Sequence, residues 1–360
     1  MSSTENLTDH DQPTAAWHSL YELTLLRLRE IVRTPEALFW TFIFPILMAC
    51  ALGVAFRNTA PTKTRVAVES AAPNASALAA TLSQAPELDG VLLTPAAAAQ
   101  ALRNGKVALI VRASSATAFE YQFDPTRPES RSTRLLVNDV LQRAAGRADV
   151  ASVKEATFTE PGARYIDFLV PGLIGMNLLG SGLWGLGFAI VLARTEKLLK
   201  QLSATPMRRW QYLLSFMLAR LLFLFPEIVV LLSFAYLVFG VRMHGSWLSF
   251  VCIAVLGSLT FAGIGLLIAA RTKTLEAAGG LMNLVILPMW VLSGTFFSAA
   301  RFPDFAQPFI KALPLTAVND ALRAIMNEGA ALSSTTLEIG ILVAWTLASF
   351  TIALRIFRWQ

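Results

Sequence analysis

The chain has 360 residues, 55% of them hydrophobic and only 15% charged, against roughly 25% charged in an ordinary soluble protein. With a mean hydropathy of +0.55 it carries more apolar surface than a soluble core absorbs, and the same numbers exclude disorder. Two cysteines exclude a disulfide scaffold, which leaves a protein built for a bilayer.

Residues 1–16 are polar and acidic, with none of the features of a cleavable signal. Segment 17–33, WHSLYELTLLRLREIVR, then places Trp17, Leu20, Tyr21, Leu25, Leu28, Ile31 and Val32 on one helical face, interrupted only by Thr24. Glu22, Arg29, Glu30 and Arg33 fall opposite, with Arg27 at the border. Standing just before an apolar run, this segment reads as a helix lying in the membrane interface. Residues 1–36 are therefore taken as a cytoplasmic N-terminus that carries it.

A helix crosses the hydrocarbon core in about 20 residues. Six runs are long enough: 37–56, 166–193, 213–239, 248–270, 278–297 and 337–354. Backbone satisfaction in lipid makes them helices, with Pro45, Pro171, Pro226 and Pro288 as kinks inside them. Cys50 and Cys252 fall within spans and read as packing residues.

Orientation follows from the basic residues of the short loops. With the N-terminus inside, segments 1–36, 194–212, 271–277 and 355–360 hold twelve Lys and Arg, against four in 241–247 and 298–336. Both termini are thus expected in the cytoplasm of a multi-pass inner-membrane protein. The net charge of +6 reads as topology, because no basic stripe with interleaved aromatics suggests nucleic acid.

After the first span (37–57), residues 58–165 are numerous enough for a domain of their own. Strand-like stretches at 65–70, 91–95, 106–113 and 117–123 alternate with helical stretches at 75–82 and 96–103, and 130–147 reads as an amphipathic helix. The expectation is a small extracytoplasmic α/β domain in a mainly α polytopic membrane protein, with spans two to six in 166–360. Segment 194–212, RTEKLLKQLSATPMRRWQY, forms a charged elbow broken at Pro206. Segment 298–336 is too polar to cross, and its prolines at 303, 308 and 314 divide it into short re-entrant-like amphipathic pieces.

No G-x-x-x-x-G-K-[ST] motif is present, since Gly105-Lys106 lacks the upstream glycine. His10, His18 and His244 are too scattered for a zinc site, and no G-x-S-x-G elbow serves a hydrolase. Intramembrane charge is the remaining signal. Asp167 and Glu338 sit at span ends, within reach of water. Arg220 and Glu227 share a face but lie roughly 10 Å apart along the axis, so Arg220 is expected to snorkel. Glu227 stands in mid-span beside Pro226, and both structural pairing and a transport role are open to it.

The order of these pieces, with EKLLKQLSATPMRRWQYLLSFMLAR at 196–220, resembles the permease subunits of the ABC-2 superfamily of ABC exporters. Leu202, Ala204, Thr205, Pro206, Met207, Arg208 and Arg209 match that family's block after the second span. Leu292-Ser293-Gly294, Phe302-Pro303, Leu313-Pro314 and Asp320-Ala321-Leu322-Arg323 match its LSG…FP…LP…DALR pattern. Lys-Leu-Leu-Lys at 197–200 departs from the small residues often found there. The resemblance implies a transport subunit without a nucleotide site, working as a homodimer with two copies of an ABC ATPase that bind ATP and magnesium. It further implies that Glu196, Leu202, Thr205, Pro206, Arg208 and Arg209 couple to the ATPase, together with an interfacial helix carrying Trp17, Arg27, Arg29 and Arg33. Asn177, Trp184, Asn283, Met289 and Trp290 would line a route for an amphipathic or lipophilic substrate, and the outer domain would gate exit or meet a periplasmic adaptor. An ion-coupled secondary transporter using Glu227, and a non-transporting membrane sensor, are the alternatives.

Overall fold

The structure is a computed structural model that describes residues 12–56, 63–71, 74–113, 115, 118–148, 164–197 and 209–356. The chain divides into two compact units, one of residues 1–57 with 158–360 and one of residues 58–157.

The first unit is helical. Among the described residues, helix α1, Gln12–Arg33, is followed by six helices long and apolar enough to cross a membrane. The first is α2, Pro35–Ala55, which opens on a proline that needs no N–H partner and passes through a π-helical turn at Phe39–Ile43. The second is α6, Tyr165–Thr195, and the third lies within α7, Arg209–Phe239. Next come α8, Trp247–Arg271, and α9, Leu275–Leu292. Short α10, Gln307–Lys311, and amphipathic α11, Pro314–Glu328, precede the last span, α12, Thr336–Ile356.

Helices α6 and α8 are the centre of this unit, with 61% of each span buried against 17–28% for the other four. Their contact depends on small residues, as helix pairs in lipid require. A side chain at Gly187 would meet the backbone of Gly265 at 2.8 Å, and one at Gly182 would meet Phe261 Cβ at 2.6 Å. Both glycines lie in a π-helical stretch of α6, Ser181–Phe188. On the other side of α8, Thr260 and Thr346 of α12 share a 2.8 Å hydroxyl contact. Outward-facing Leu222, Phe225, Val229 and Leu237 of α7 are exposed, as a lipid solvent permits.

The second unit is the expected α/β fold. Strands β1, Thr64–Glu69, β2, Leu88–Leu93, β3, Leu109–Ala113, and β4, Phe119–Gln122, form one sheet in the order β2-β1-β3-β4. The first three are parallel and β4 is antiparallel at the edge. Helices α3, Ala75–Gln84, α4, Pro95–Arg103, and α5, Pro128–Ala144, cover it. From β1 the chain crosses to one side of the sheet and from β2 to the other. Crossovers of one hand then place the two connecting helices on opposite faces. Leu82 of α3 and Val137 and Leu141 of α5 accordingly pack on Val66, Val68, Leu109 and Val111. Ala98 of α4 packs on Ala67 and Ile110.

Candidate functional site

The sequence distributes its candidate residues over three places in the helical unit: the end where α6 closes at Thr195, the middle of the spans, and the end where α6 opens at Tyr165.

At the Thr195 end, α1 packs on α7 through Leu20, Thr24 and Arg27. The hydroxyl of Thr24 is buried and donates to the carbonyl of Leu20 at 2.7 Å, which removes the cost of the one polar interruption. Arg27 is drawn inward. Its guanidinium stands 4.1 Å from the centroid of Phe216 and 5.3 Å from that of Tyr212, both on α7, and Nη1 donates to Glu30 Oε2 at 2.6 Å. Burial pushes the Tyr212 phenol above its ordinary pKa, while Arg27 pulls it back. Arg29 and Arg33 are exposed, as are Tyr21 and Val32 of the expected apolar face. The face that packs on α7 is therefore rotated from the most apolar one, leaving apolar residues free for an interface. Trp17 lies within α1.

Of the elbow, Glu196 is exposed just beyond α6, with its N–H bonded to Leu192 O at 3.0 Å. Leu202, Thr205, Pro206 and Arg208 lie outside the described residues, and Arg209 opens the backbone of α7. Arg194 has a role that its place in a charge cluster does not reveal. Its Nη1 donates to Ala269 O at 2.7 Å and Thr272 O at 2.8 Å, satisfying carbonyls at the C-terminus of α8 that lack helical partners.

In mid-span, Arg220 and Glu227 correct the expectation of snorkelling. Arg220 Nη1 donates to Glu227 Oε2 at 2.7 Å, with side chains only 7% and 3% exposed. Arg220 extends along the helix past the turn before Pro226, because an unpaired charge in an apolar interior costs more than the side-chain entropy.

The five residues expected along a route do not share one surface. Asn177 donates through Nδ2 to Thr41 O at 2.9 Å, tethering α6 to the π-helical turn of α2. Met289 is buried in the core, and Trp290 is half-buried with its indole N–H unpaired among the described residues. Trp184, 40% exposed, and Asn283 face outward, and Trp184 reaches within 3.5 Å of where a side chain at Gly279 of α9 would begin. An outward face shared by α6 and α9 is thus carried by Trp184 and Asn283.

At the Tyr165 end the structure assembles a polar network. Asp167 is buried, not open to water as expected. Arg164 donates to both of its oxygens at 2.9 Å and to Phe239 O of α7 at 2.8 Å. The motif residues around Gly294 and on α11 belong to the same network. Helix α9 stops at Leu292, five residues before the expected limit of 297, because Gly294 turns the chain at φ +70°, a conformation that favours glycine. Asn319 donates to Ser293 O at 3.0 Å and Thr295 Oγ1 at 3.2 Å. One turn on, Arg323 donates to Gly294 O and, at 3.2 Å, to Phe168 O. Asn327 completes the row with a 2.9 Å bond to Asp167 O. Spacing of four residues puts all three donors on one face of α11. Burial lowers the Arg323 pKa to about 10, with Asp320 opposing.

These elements define a six-helix polytopic membrane protein in which a folded-back amphipathic helix is tied into one end of the bundle. The chain belongs to the family described as ABC-2 family transporter protein, which it matches over residues 35–355. It is 27% identical over 205 residues to ABC transporter G family member 20 of Dictyostelium discoideum, covering 56% of this chain and 28% of that protein. With linearmycin resistance permease protein LnrN of Bacillus subtilis strain 168 it shares 29% identity over 129 residues, 36% of this chain and 33% of the relative. With inner membrane transport permease YadH of Escherichia coli K12 it shares 26% over 149 residues, 41% and 57% of the two chains. The matches thus span between 28% and 57% of these relatives' lengths.

Proposed function

We propose that this chain is the membrane-spanning permease subunit of an ATP-driven ABC exporter, forming the path for an amphipathic or lipophilic substrate. It works as a homodimer in a bacterial inner membrane with both termini in the cytoplasm, and two copies of a separate ABC ATPase bind the ATP and magnesium. The chain is then a transport subunit and not an enzyme. The family match over 35–355 carries this reading. The permease names of the bacterial relatives support it, and a name given for linearmycin resistance favours export. Segment 194–212 acts as the coupling elbow, with Glu196, Leu202, Thr205, Pro206, Arg208 and Arg209 against the ATPase. Its thrust passes to α1 through the Arg27 contact with Tyr212 and Phe216. Trp184 and Asn283 face the partner protomer and the route between the two, and the α/β domain meets a periplasmic adaptor or gates exit. The ion pair that Glu227 makes with Arg220 counts against its use as a free proton carrier.

The test is co-purification with a co-expressed ABC ATPase, followed by charge reversal at Arg208→Glu and Arg209→Glu. We expect the double variant to keep its fold and lose most of its stimulation of ATP hydrolysis. Unaltered stimulation excludes the elbow as the docking element.

A further inference from the structure

At the Tyr165 end of the bundle a cleft of about 590 Å³ opens between α2, the first turn of α6 and the chain that follows α9. That volume lies in the range that holds a drug-sized ligand. Phe56, Tyr165, Phe168, Phe296 and Phe297 form aromatic walls, and Arg301 joins them. The walls are held in place by contacts of their own. Tyr165 stacks on Phe56 with centroids 4.3 Å apart, and its hydroxyl donates to Phe296 O at 2.8 Å. Phe168 carries the Arg323 guanidinium 3.7 Å from its ring centroid. A cleft fixed in this way needs little reorganisation to accept a guest.

Its charge is one-sided. Arg301 is exposed and, among the described residues, forms no ion pair, not even with Asp304 three positions on. Asp167, beside the wall residue Phe168, is occupied by Arg164, and among the described residues no carboxylate lines the cleft. Ser298 adds a hydroxyl that accepts from the Ala300 N–H and keeps its own proton to donate. Apolar walls joined to one free cation and one hydroxyl donor complement an apolar body with one anionic head.

We propose that this cleft binds a single-chain amphiphile of the fatty-acid class, its carboxylate at Arg301 and Ser298 and its chain among the phenylalanines. The volume suits one acyl chain with its head. Binding needs this chain alone, so the proposal stands or falls separately from ATPase coupling.

The experiment uses the full chain in phosphatidylcholine nanodiscs. The probes are palmitic acid carrying a mid-chain diazirine, its methyl ester, and a phosphatidylglycerol with the same photoreactive chain, and labelled peptides are mapped by mass spectrometry. The acid is expected to label peptides containing 48–56, 165–168 and 296–301 roughly tenfold more than the ester, the difference one charge-assisted contact makes. Arg301→Gln should bring the acid down to the ester's level, Arg301→Lys should keep most of the preference, and Leu52→Trp should lower labelling by both. Equal labelling by acid and ester in the parent protein overturns the proposal without reference to any variant. So do labelling spread evenly over the six spans, a preference that survives Arg301→Gln, and phospholipid labelling as strong as that of the acid.

Discussion

Arg220 and Glu227 lie on one face of α7, and along an ideal helix seven residues separate their backbones by roughly 10 Å. The pair closes because both side chains bridge that gap, meeting at 2.7 Å in an interior that would penalise either charge alone. Removing one partner strands the other, a loss of about 3–5 kcal/mol in a buried pair, whereas replacing both by apolar groups of similar volume is close to neutral. Thermal unfolding of the purified protein should therefore show a large drop for Arg220→Met or Glu227→Gln and a recovery for the double Arg220→Met/Glu227→Met variant. A proton carrier would behave in the opposite way: Glu227→Gln would stop transport and leave the melting temperature unmoved. The same residues show why a sequence locates a charge better than it locates a partner. Seven-residue spacing gives a common face, but the reach of an extended guanidinium against the cost of isolation is settled only in the folded interior.

Helix α1 is held to α7 by a cation between two rings, so its attachment is predicted to depend on Arg27. A desolvated cation–π contact is worth about 1–2 kcal/mol, and truncation to alanine should open the α1–α7 seam roughly tenfold more often. Leu20 is buried in that seam, which offers a direct readout. In a background with Cys50 and Cys252 changed to serine, maleimide labelling of Leu20→Cys should be slow and should quicken when Arg27→Ala is added. Arg27→Lys should fall between, because an ammonium lacks the planar face that stacks on Phe216. A second element, α11, is seated against α6 at glycines. A side chain at Gly172 would meet Arg323 Nη2 at 3.1 Å, besides Thr295 O of the preceding loop at 2.6 Å, and one at Gly175 would collide with Asn319 Oδ1. Gly175→Ala is expected to cost about 1–3 kcal/mol by overpacking, seen as a lower melting temperature with the spans intact by circular dichroism. The spans and the α/β elements were legible in the sequence because each is specified locally, by twenty apolar residues or by a strand-like alternation such as RVAV. The end of α9, the burial of Asp167 and the Arg323 network were not, because they join segments as far apart as the 160 residues between Asn327 and Asp167. Glycines 172 and 175 are the trace such contacts leave in the sequence, and they could have marked where α6 receives another helix.

Across the whole molecule the decisive quantity is the twelve-to-four excess of basic residues in the short loops of the Thr195 end over those of the Tyr165 end. Basic residues near span ends resist translocation, and six spans return the chain to the side where it started. The permease reading requires the elbow, α1 and the C-terminal end of α12 to face the compartment that supplies ATP. Arg194, one of the twelve, also closes the carbonyl end of α8 on the same side. In the cysteine-free background, Thr205→Cys is expected to resist a membrane-impermeant maleimide in intact spheroplasts and to react once they are permeabilised. Asp304→Cys, in the exposed 3-10 turn Asp304–Ala306, should react in both. If Thr205→Cys is labelled from outside and Asp304→Cys is not, the bundle is inverted. A cytoplasmic ATPase could not then reach the elbow, and coupling through 194–212 would be excluded even though the helices, the polar network and the family would all stand unchanged.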